Sequence, residues 1–410
     1  MRKVRSYIIF PILLAVWLCN SHFQKENRSN RMLTFSFDPR TIVSKIFKNS
    51  EISQTELDPW FHLKNDPGMR TESCEIERGQ SGIWVQDMQY GALAQYKIPL
   101  KRFRNFPSFV PSPEQPFRKS TTFKWVDNSC PVHLITLEGL CHAMKALDLS
   151  RIHIVGDSLN LQFMQALWKL LGHMDDPMTK TSKHDPQWLR YQYSRTVECS
   201  SNFQFEIAFT RNDLIDGQET NIEFDKIDDH QFNCGNTEFC FPWNPMYTTY
   251  PGKTLLIANA GSHIHSQSDF VQVFDNFLRL IEKRKNPGDI VMFRSTVPGH
   301  HGCEDPNVRP LKSISEFEMA PDDFSWNKFD GYNQYARKAI DTYNQNHLDL
   351  PIHLLDVAPM TILRKDGHIS GPEKCGACGE GDCLHYILPG PLDWWVHLMY
   401  SNLVNLVLKQ

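Results

Sequence analysis

Residues 152–171 read IHIVGDSLNLQFMQALWKLL, and how this stretch is parsed decides the fold. Ile152 to Val155 is a short, largely β-branched run suited to a buried strand. Gly156-Asp157-Ser158 ends it, and Leu159 to Leu171 carries apolar residues at helical spacing. The same order recurs on both sides. A helical pattern covers Leu137 to Leu147. Thr254 to Ala258 reads as a strand running into Asn259-Ala260-Gly261-Ser262-His263, followed by a helix over Asp269 to Arg284. Asp289 to Arg294 and Ile352 to Asp356 read as further strands, with a helix over Asn333 to Asn346 between them. Strands separated by helices of this length predict an α/β domain with a mostly parallel sheet covered on both faces. Such sheets place their sites outside the carboxyl ends of their strands.

That rule directs attention to Ser158. A tight turn after the strand presents its hydroxyl at the sheet edge, where the N–H groups of a helix start can face an anion. Serine is a weak nucleophile at neutral pH and needs a base within hydrogen-bond reach. The competing reading is that Ser158 only caps the helix. The candidate base lies in Asp382-Cys383-Leu384-His385. One helical turn there would put carboxylate and imidazole on one side, so that Asp382 orients His385. The same pair could be a surface salt bridge.

Two further strand ends carry polar residues. Asn259 and Gly261 can donate to a developing oxyanion, or can form an Asn-capped glycine turn. Arg294 ends the strand before Ser-Thr-Val-Pro-Gly-His-His-Gly, where it can anchor a loop or clamp a substrate oxygen. His263 and His300 are the other candidate substrate contacts.

The chain has 410 residues, 41% of them apolar, which is enough for a sizeable core. Its 43 Lys and Arg against 47 Asp and Glu give a formal charge of -4, which supplies no electrostatic reason for a nucleic-acid partner. Basic Met1 to Ser6 precedes the apolar run Tyr7 to Cys19, a signal-like pattern short for a full span. It predicts a short type II anchor with the globular part luminal and Golgi membranes as its place, or a cleaved signal and a secreted protein, or a buried helix of a cytosolic protein. Eleven cysteines leave an even ten beyond Cys19, which favours disulfides. Local pairing of Cys234 with Cys240, or among Cys375, Cys378 and Cys383, is the simplest guess. Cys375, Cys378, Cys383 and His385 also have the bare spacing of a zinc cluster, against which the oxidising compartment argues, so no metal is expected. Asn27-Arg28-Ser29 is a glycosylation sequon. The organisation expected is a signal or anchor over 1–20, a stem over 21–70, a minor lobe over 71–129 and the main domain over 130–410.

As a set, CEIERGQSGIWVQD (74–87), FKWVDNSC (123–130), VGDSL (155–159), NAGSH (259–263), FRSTVPGH (293–300), LRKDGHIS (363–370), DCLHYILPGP (382–391) and Asp393-Trp394 resemble the PC-esterase superfamily of SGNH/GDSL type. The resemblance is strongest to its plant trichome-birefringence-like polysaccharide O-acetyltransferases and weaker to its sialic-acid-acetylating and neurexophilin-related members. It implies an SGNH-hydrolase-like three-layer domain with a smaller N-terminal lobe. It implies Ser158 as nucleophile, His385 and Asp382 as its partners, and Ser158, Asn259 and Gly261 around the oxyanion. The implied activity is acetyl transfer to a carbohydrate hydroxyl through an acyl-serine; the alternatives are a carbohydrate acetyl esterase or a non-catalytic glycan-binding or structural member. No bound cofactor is implied, only an acetyl donor, which a membrane protein could supply. The chain departs from the plant pattern Asn-Thr-Gly-His-Trp-Trp at Asn259 to Ile264, and from Asp-Cys-Ser-His-Trp-Cys at Asp382 to Ile387. The plant substrate therefore does not follow from the resemblance.

Overall fold

The run around Ile152 becomes a central strand of a six-stranded sheet in the computed structural model. The structure describes residues 82–88, 90, 119–127, 132–173, 192–200, 202–215, 239–284, 286–305, 307–318, 325–370 and 381–410. In chain order, β1 (Ile83–Gln86) and β2 (Phe123–Val126) form a separate antiparallel ribbon. The main sheet comprises β3 (Arg151–Gly156), β4 (Gln192–Glu198), β5 (Gln204–Arg211), β6 (Thr254–Ala258), β7 (Ile290–Arg294) and β8 (Ile352–Leu355). Its order is β4-β5-β3-β6-β7-β8; β4 is antiparallel to β5, and all other neighbours are parallel.

Alternation along the strands builds two cores. Ile152, Ile154, Leu255 and Ile257 point into one, with α1 (Leu137–Ala146), α2 (Ser158–Leu170) and α7 (Pro391–Leu408). Val155, Leu256, Ala258, Val291 and Phe293 point into the other, with α4 (Gln267–Arg284) and α5 (Phe329–Asn346). Short helices α3 (Asn244–Thr249) and α6 (Ala358–Ile362) complete the set. This is the expected three-layer α/β arrangement, consistent with an SGNH-hydrolase-like fold. In the second core, Phe270 stacks on Tyr332 at 4.5 Å and Phe274 meets Phe293 edge-on at 4.7 Å, each worth roughly 0.5–1.5 kcal/mol beyond area burial.

The ribbon is attached through aromatics. Trp84 packs against Trp125 and Trp394, and its indole N–H donates to the Met360 carbonyl at 2.7 Å. Arg364 lies over the rings of Trp84 and Phe123 while its guanidinium holds Asp366.

Strand order turns around β3. The chain leaves β3 for β5 on one side and reaches β6 on the other, which makes the β3/β6 boundary a topological switch point. Ser158 follows β3 and Asn259 follows β6 there.

Two expectations change. Among the described residues no helix is long and apolar enough to cross a membrane. That finding corrects the expected signal anchor, type II Golgi placement and membrane partner through that anchor; the run Tyr7 to Cys19 itself lies outside the described residues. Cys383 pairs with Cys303, not with Cys375 or Cys378, and Cys141 pairs with Cys199. Cys240 is also disulfide-bonded. Asn27, Cys74, Cys130, Cys234, Cys375 and Cys378 lie outside the described residues.

Candidate active site

Gly156 makes the turn possible. Its φ is +150°, and an added Cβ would stand 2.7 Å from the Asn259 carbonyl oxygen and 2.6 Å from Asn160 Nδ2. Asp157, not Ser158, then caps α2: its carboxylate accepts from the N–H groups of Leu159 (2.9 Å) and Asn160 (3.3 Å). With the cap supplied by its neighbour, Ser158 turns its hydroxyl elsewhere. Ser158 Oγ lies 2.7 Å from His385 Nε2.

The other ring nitrogen of His385, Nδ1, is 2.9 Å and 3.1 Å from the two Asp382 oxygens. Burial pushes the Asp382 carboxyl up, but hydrogen bonds and charge from His385 and the N–H of Leu384 outweigh it and hold it down at about 2. The ionised carboxylate only accepts, so Nδ1 carries the ring proton and Nε2 offers its lone pair to the serine hydroxyl. A hydroxyl, imidazole and carboxylate in this order can pass a proton from Oγ to the ring and stabilise the resulting imidazolium.

The Asp382–His385 segment is not the helical turn its spacing predicts. Asp382 Oδ1 instead accepts from the main-chain N–H of Leu384 (3.2 Å) and His385 (2.9 Å), so the carboxylate organises the bend that carries its own partner. Several attachments from outside hold this bend. Ser370 Oγ accepts from Asp382 N at 2.8 Å, Ile369 N donates to the His385 carbonyl at 3.0 Å, His300 N donates to the Cys383 carbonyl at 3.0 Å, and Cys383 is bonded to Cys303. Gln162, one turn beyond Ser158, adds another. Its amide donates to the Tyr386 carbonyl at 2.8 Å and accepts from Tyr386 N at 3.1 Å.

Arg294 resolves in favour of the anchor. It is fully buried, donating from Nε to Asn160 Oδ1 (2.7 Å), from Nη1 to the Ser295 carbonyl (2.8 Å) and from Nη2 to Asn259 Oδ1 (2.6 Å). Nη2 is 3.9 Å from Asp157, and the guanidinium lies over the Trp395 ring at 4.7 Å. Its side chain is wholly enclosed. Burial would raise the Asp157 carboxyl, but Arg294, His263, Arg211 and the Ser262 hydroxyl together hold it below its ordinary value.

Asn259 also departs from its expected role. Its side-chain N–H groups donate to the Arg294 carbonyl (2.8 Å) and Thr296 Oγ1 (3.1 Å), and its main-chain N–H to the Val155 carbonyl (3.1 Å). Its donors thus brace the strand ends in place of the expected oxyanion. Gly261 has φ +158° beside Thr296, whose side chain a Cβ would strike. His300 is 1% exposed and bonded to His368 and the Ile362 carbonyl, so the expected substrate contact is corrected for it as well. Of the candidate substrate contacts Arg294, His263 and His300, only His263 reaches solvent; its Nε2 is 3.6 Å from Asp213, which Arg211 pairs through both oxygens.

The sequence matches, over residues 142–402, a family described as GDSL/SGNH-like acyl-esterases found in Pmr5 and Cas1p, the PC-esterases. The chain belongs to the PC-esterase family. Among Arabidopsis thaliana relatives, xyloglucan O-acetyltransferase 1 is 22% identical over 434 aligned residues, covering 97% of this chain and 96% of that protein. Protein trichome birefringence-like 40 is 24% identical over 338 residues, 81% of this chain and 88% of the relative. Protein trichome birefringence-like 13 is 28% identical over 141 residues, but that match spans only 32% of either chain. PC-esterase membership brings a scaffold capable of acyl transfer or ester hydrolysis. Sequence reasoning missed Asp157 as the cap and Gln162, Ser370 and Cys303 as supports. Gln162 alone left a local signal, its i+4 spacing from Ser158.

Proposed function

We propose that this PC-esterase moves an acetyl group onto a carbohydrate hydroxyl through an acyl-Ser158 intermediate. The observation that carries the reading is the continuous path Ser158 Oγ, His385 Nε2, His385 Nδ1, Asp382, with contacts of 2.7 Å and 2.9 Å. His385 takes the hydroxyl proton as Ser158 Oγ bonds to the acyl carbon, and returns it to the departing group as the old acyl bond breaks. The main-chain N–H groups of Ser158, at the first position of α2, and of Gly261, beyond β6, are the oxyanion donors in this reading. An acceptor hydroxyl then attacks the acyl-Ser158 carbon and gives its proton to His385, which passes it to Ser158 Oγ as the bond between Oγ and the acyl carbon breaks. The carbohydrate acceptor rests on the activity for which the xyloglucan relative is named, with His263 as the candidate contact at the rim.

Ester hydrolysis is the second reading, and one observation favours it. The His385 side chain is 27% exposed, so water can reach the base that would activate it. The two are separated by offering the chain an activated acetyl ester with and without a panel of oligosaccharides, and measuring acetyl on sugar against free acetate. Transfer predicts that one acceptor class diverts acetyl from water to sugar. Equal acetate release with every acceptor would leave an esterase.

A further inference from the structure

Behind the His385 bend lie two histidines that the reaction does not use, each 1% exposed. His300 Nδ1 is 2.6 Å from His368 Nε2. The outer nitrogens both face carbonyl oxygens: His300 Nε2 meets Ile362 O at 2.6 Å, and His368 Nδ1 meets His385 O at 3.1 Å. A carbonyl oxygen only accepts, so each outer nitrogen needs a hydrogen, and the inner contact needs one more. Three hydrogens satisfy this chain; two neutral imidazoles bring only two. The neutral pair therefore leaves one contact as lone pair against lone pair, and one added proton completes all three.

The end of that chain is the carbonyl of the residue whose ring meets Ser158. We propose that His300 and His368 are a positioning pair that shares one acquired proton and, when holding it, fixes the main chain of His385 for the Ser158 reaction. The functional half of this inference rests on the reading of His385 as base.

The surroundings fix the direction of titration. Arg364, Lys365 and Asp366 face the pair from the turn after α6, and Asp382 and His385 face it from the bend. The Tyr386 ring stacks on His368 at 4.3 Å, and Phe317 meets His300 edge-on at 5.3 Å. Burial is the largest influence on His300 and lowers it to about 4; the Ile362 carbonyl and Asp366 pull upward, Lys365 and Arg364 downward. Burial also holds His368 well below its ordinary value, with the charge of His300 acting the same way. Proton uptake thus falls on the acid side of an ordinary imidazole, whose value is about 6.5. Without that proton, the His385 carbonyl keeps its bond from Ile369 N.

The test is imidazole nitrogen and proton NMR on the full chain labelled at histidine, taken from about pH 7.5 down to about pH 4. His300→Asn places an amide near the level of Nδ1 that can donate to His368 Nε2, so a neutral His368 can donate to His385 O and the proton shortage disappears. The expected result is that both rings move together in the wild type as one proton is taken up, and that His368 stops titrating in H300N. At a pH low enough for the pair to hold its proton, His368→Leu removes the donor to His385 and should lower kcat roughly 10-fold with KM unchanged, whereas His368→Asn, which restores a donor at that level, should recover most of the loss. Rings that stay neutral to about pH 4 in folded protein, or take up two protons independently, would overturn the shared proton. Wild-type kcat in H368L at that pH would overturn the positioning role. The spectra need no turnover, so a failure of the Ser158 reading shows separately, as undiminished activity in S158A.

Discussion

Gln162 and Tyr386 are 224 residues apart in sequence and joined by two hydrogen bonds, the Gln162 side-chain amide pairing with the Tyr386 main chain as a neighbouring strand would. Gln162 stands four residues beyond Ser158 on α2, and Tyr386 directly follows His385. The pair therefore ties the helix carrying the hydroxyl to the bend carrying the imidazole, next to the 2.7 Å contact between them.

Gln162→Ala breaks that tie and strands a buried N–H and C=O of Tyr386. The expected result is a stability loss of about 1–3 kcal/mol. The expected kcat loss is larger than stability explains, roughly 100-fold, because a displacement near 1 Å at the reacting atoms costs about that much. Steady-state kinetics beside denaturant melts check this; kcat unchanged at full folding would show that the tie is incidental.

The Cys303–Cys383 disulfide fixes the residue after Asp382 to the loop after β7. Cys303→Ser with Cys383→Ser should reduce kcat and make it insensitive to reductant, while wild-type activity falls on reduction. The lost cross-link should lower stability by about 2–5 kcal/mol. Assays across a dithiol series compare the two proteins, and equal reductant sensitivity in both would place the effect at another bond.

Asp382 gives a signed pH dependence. Its folded-state carboxyl is held at about 2 against an ordinary 3.8, so its contribution to stability is complete above about 4 and is lost as pH falls through about 2. Asp382→Asn should flatten that acid-side loss, seen as a smaller change in unfolding midpoint between about pH 4 and about pH 2. At neutral pH the same variant should lower kcat by roughly 10³- to 10⁴-fold, since an amide neither selects the tautomer nor stabilises the imidazolium.

How much of this was legible beforehand follows from the range of each interaction. β3, β6, β7 and β8 were readable because each is a short apolar run bounded by a turn and followed by a periodic helix. β4 and β5 were not assigned: Gln192–Glu198 reads QYSRTVE, polar along much of its length, because it is an edge strand paired on one side only. α7 was missed for the opposite reason. Pro391–Leu408 is buried nearly all round its first three turns, which erases the amphipathic period. At the site, Ser158, His385 and Asp382 were named from residue type and order. The inward commitments of Asn259, Arg294 and His300 were not, because they depend on partners such as Asn160, Thr296 and His368 that spacing does not reveal. The i,i+3 spacing of Asp382 and His385 fits one helical turn and equally a bend closed by its own carboxylate, and spacing alone does not separate the two.

The central claim is that Ser158 carries the acyl group. Intact-mass analysis of the chain mixed with an activated acetyl ester and quenched within the first turnovers tests it most directly. The account predicts a gain of one acetyl mass in the wild type, mapped by peptide fragmentation to Ser158 and absent from Ser158→Ala. An acetylated Ser158→Ala protein that turns over at the wild-type rate would contradict it.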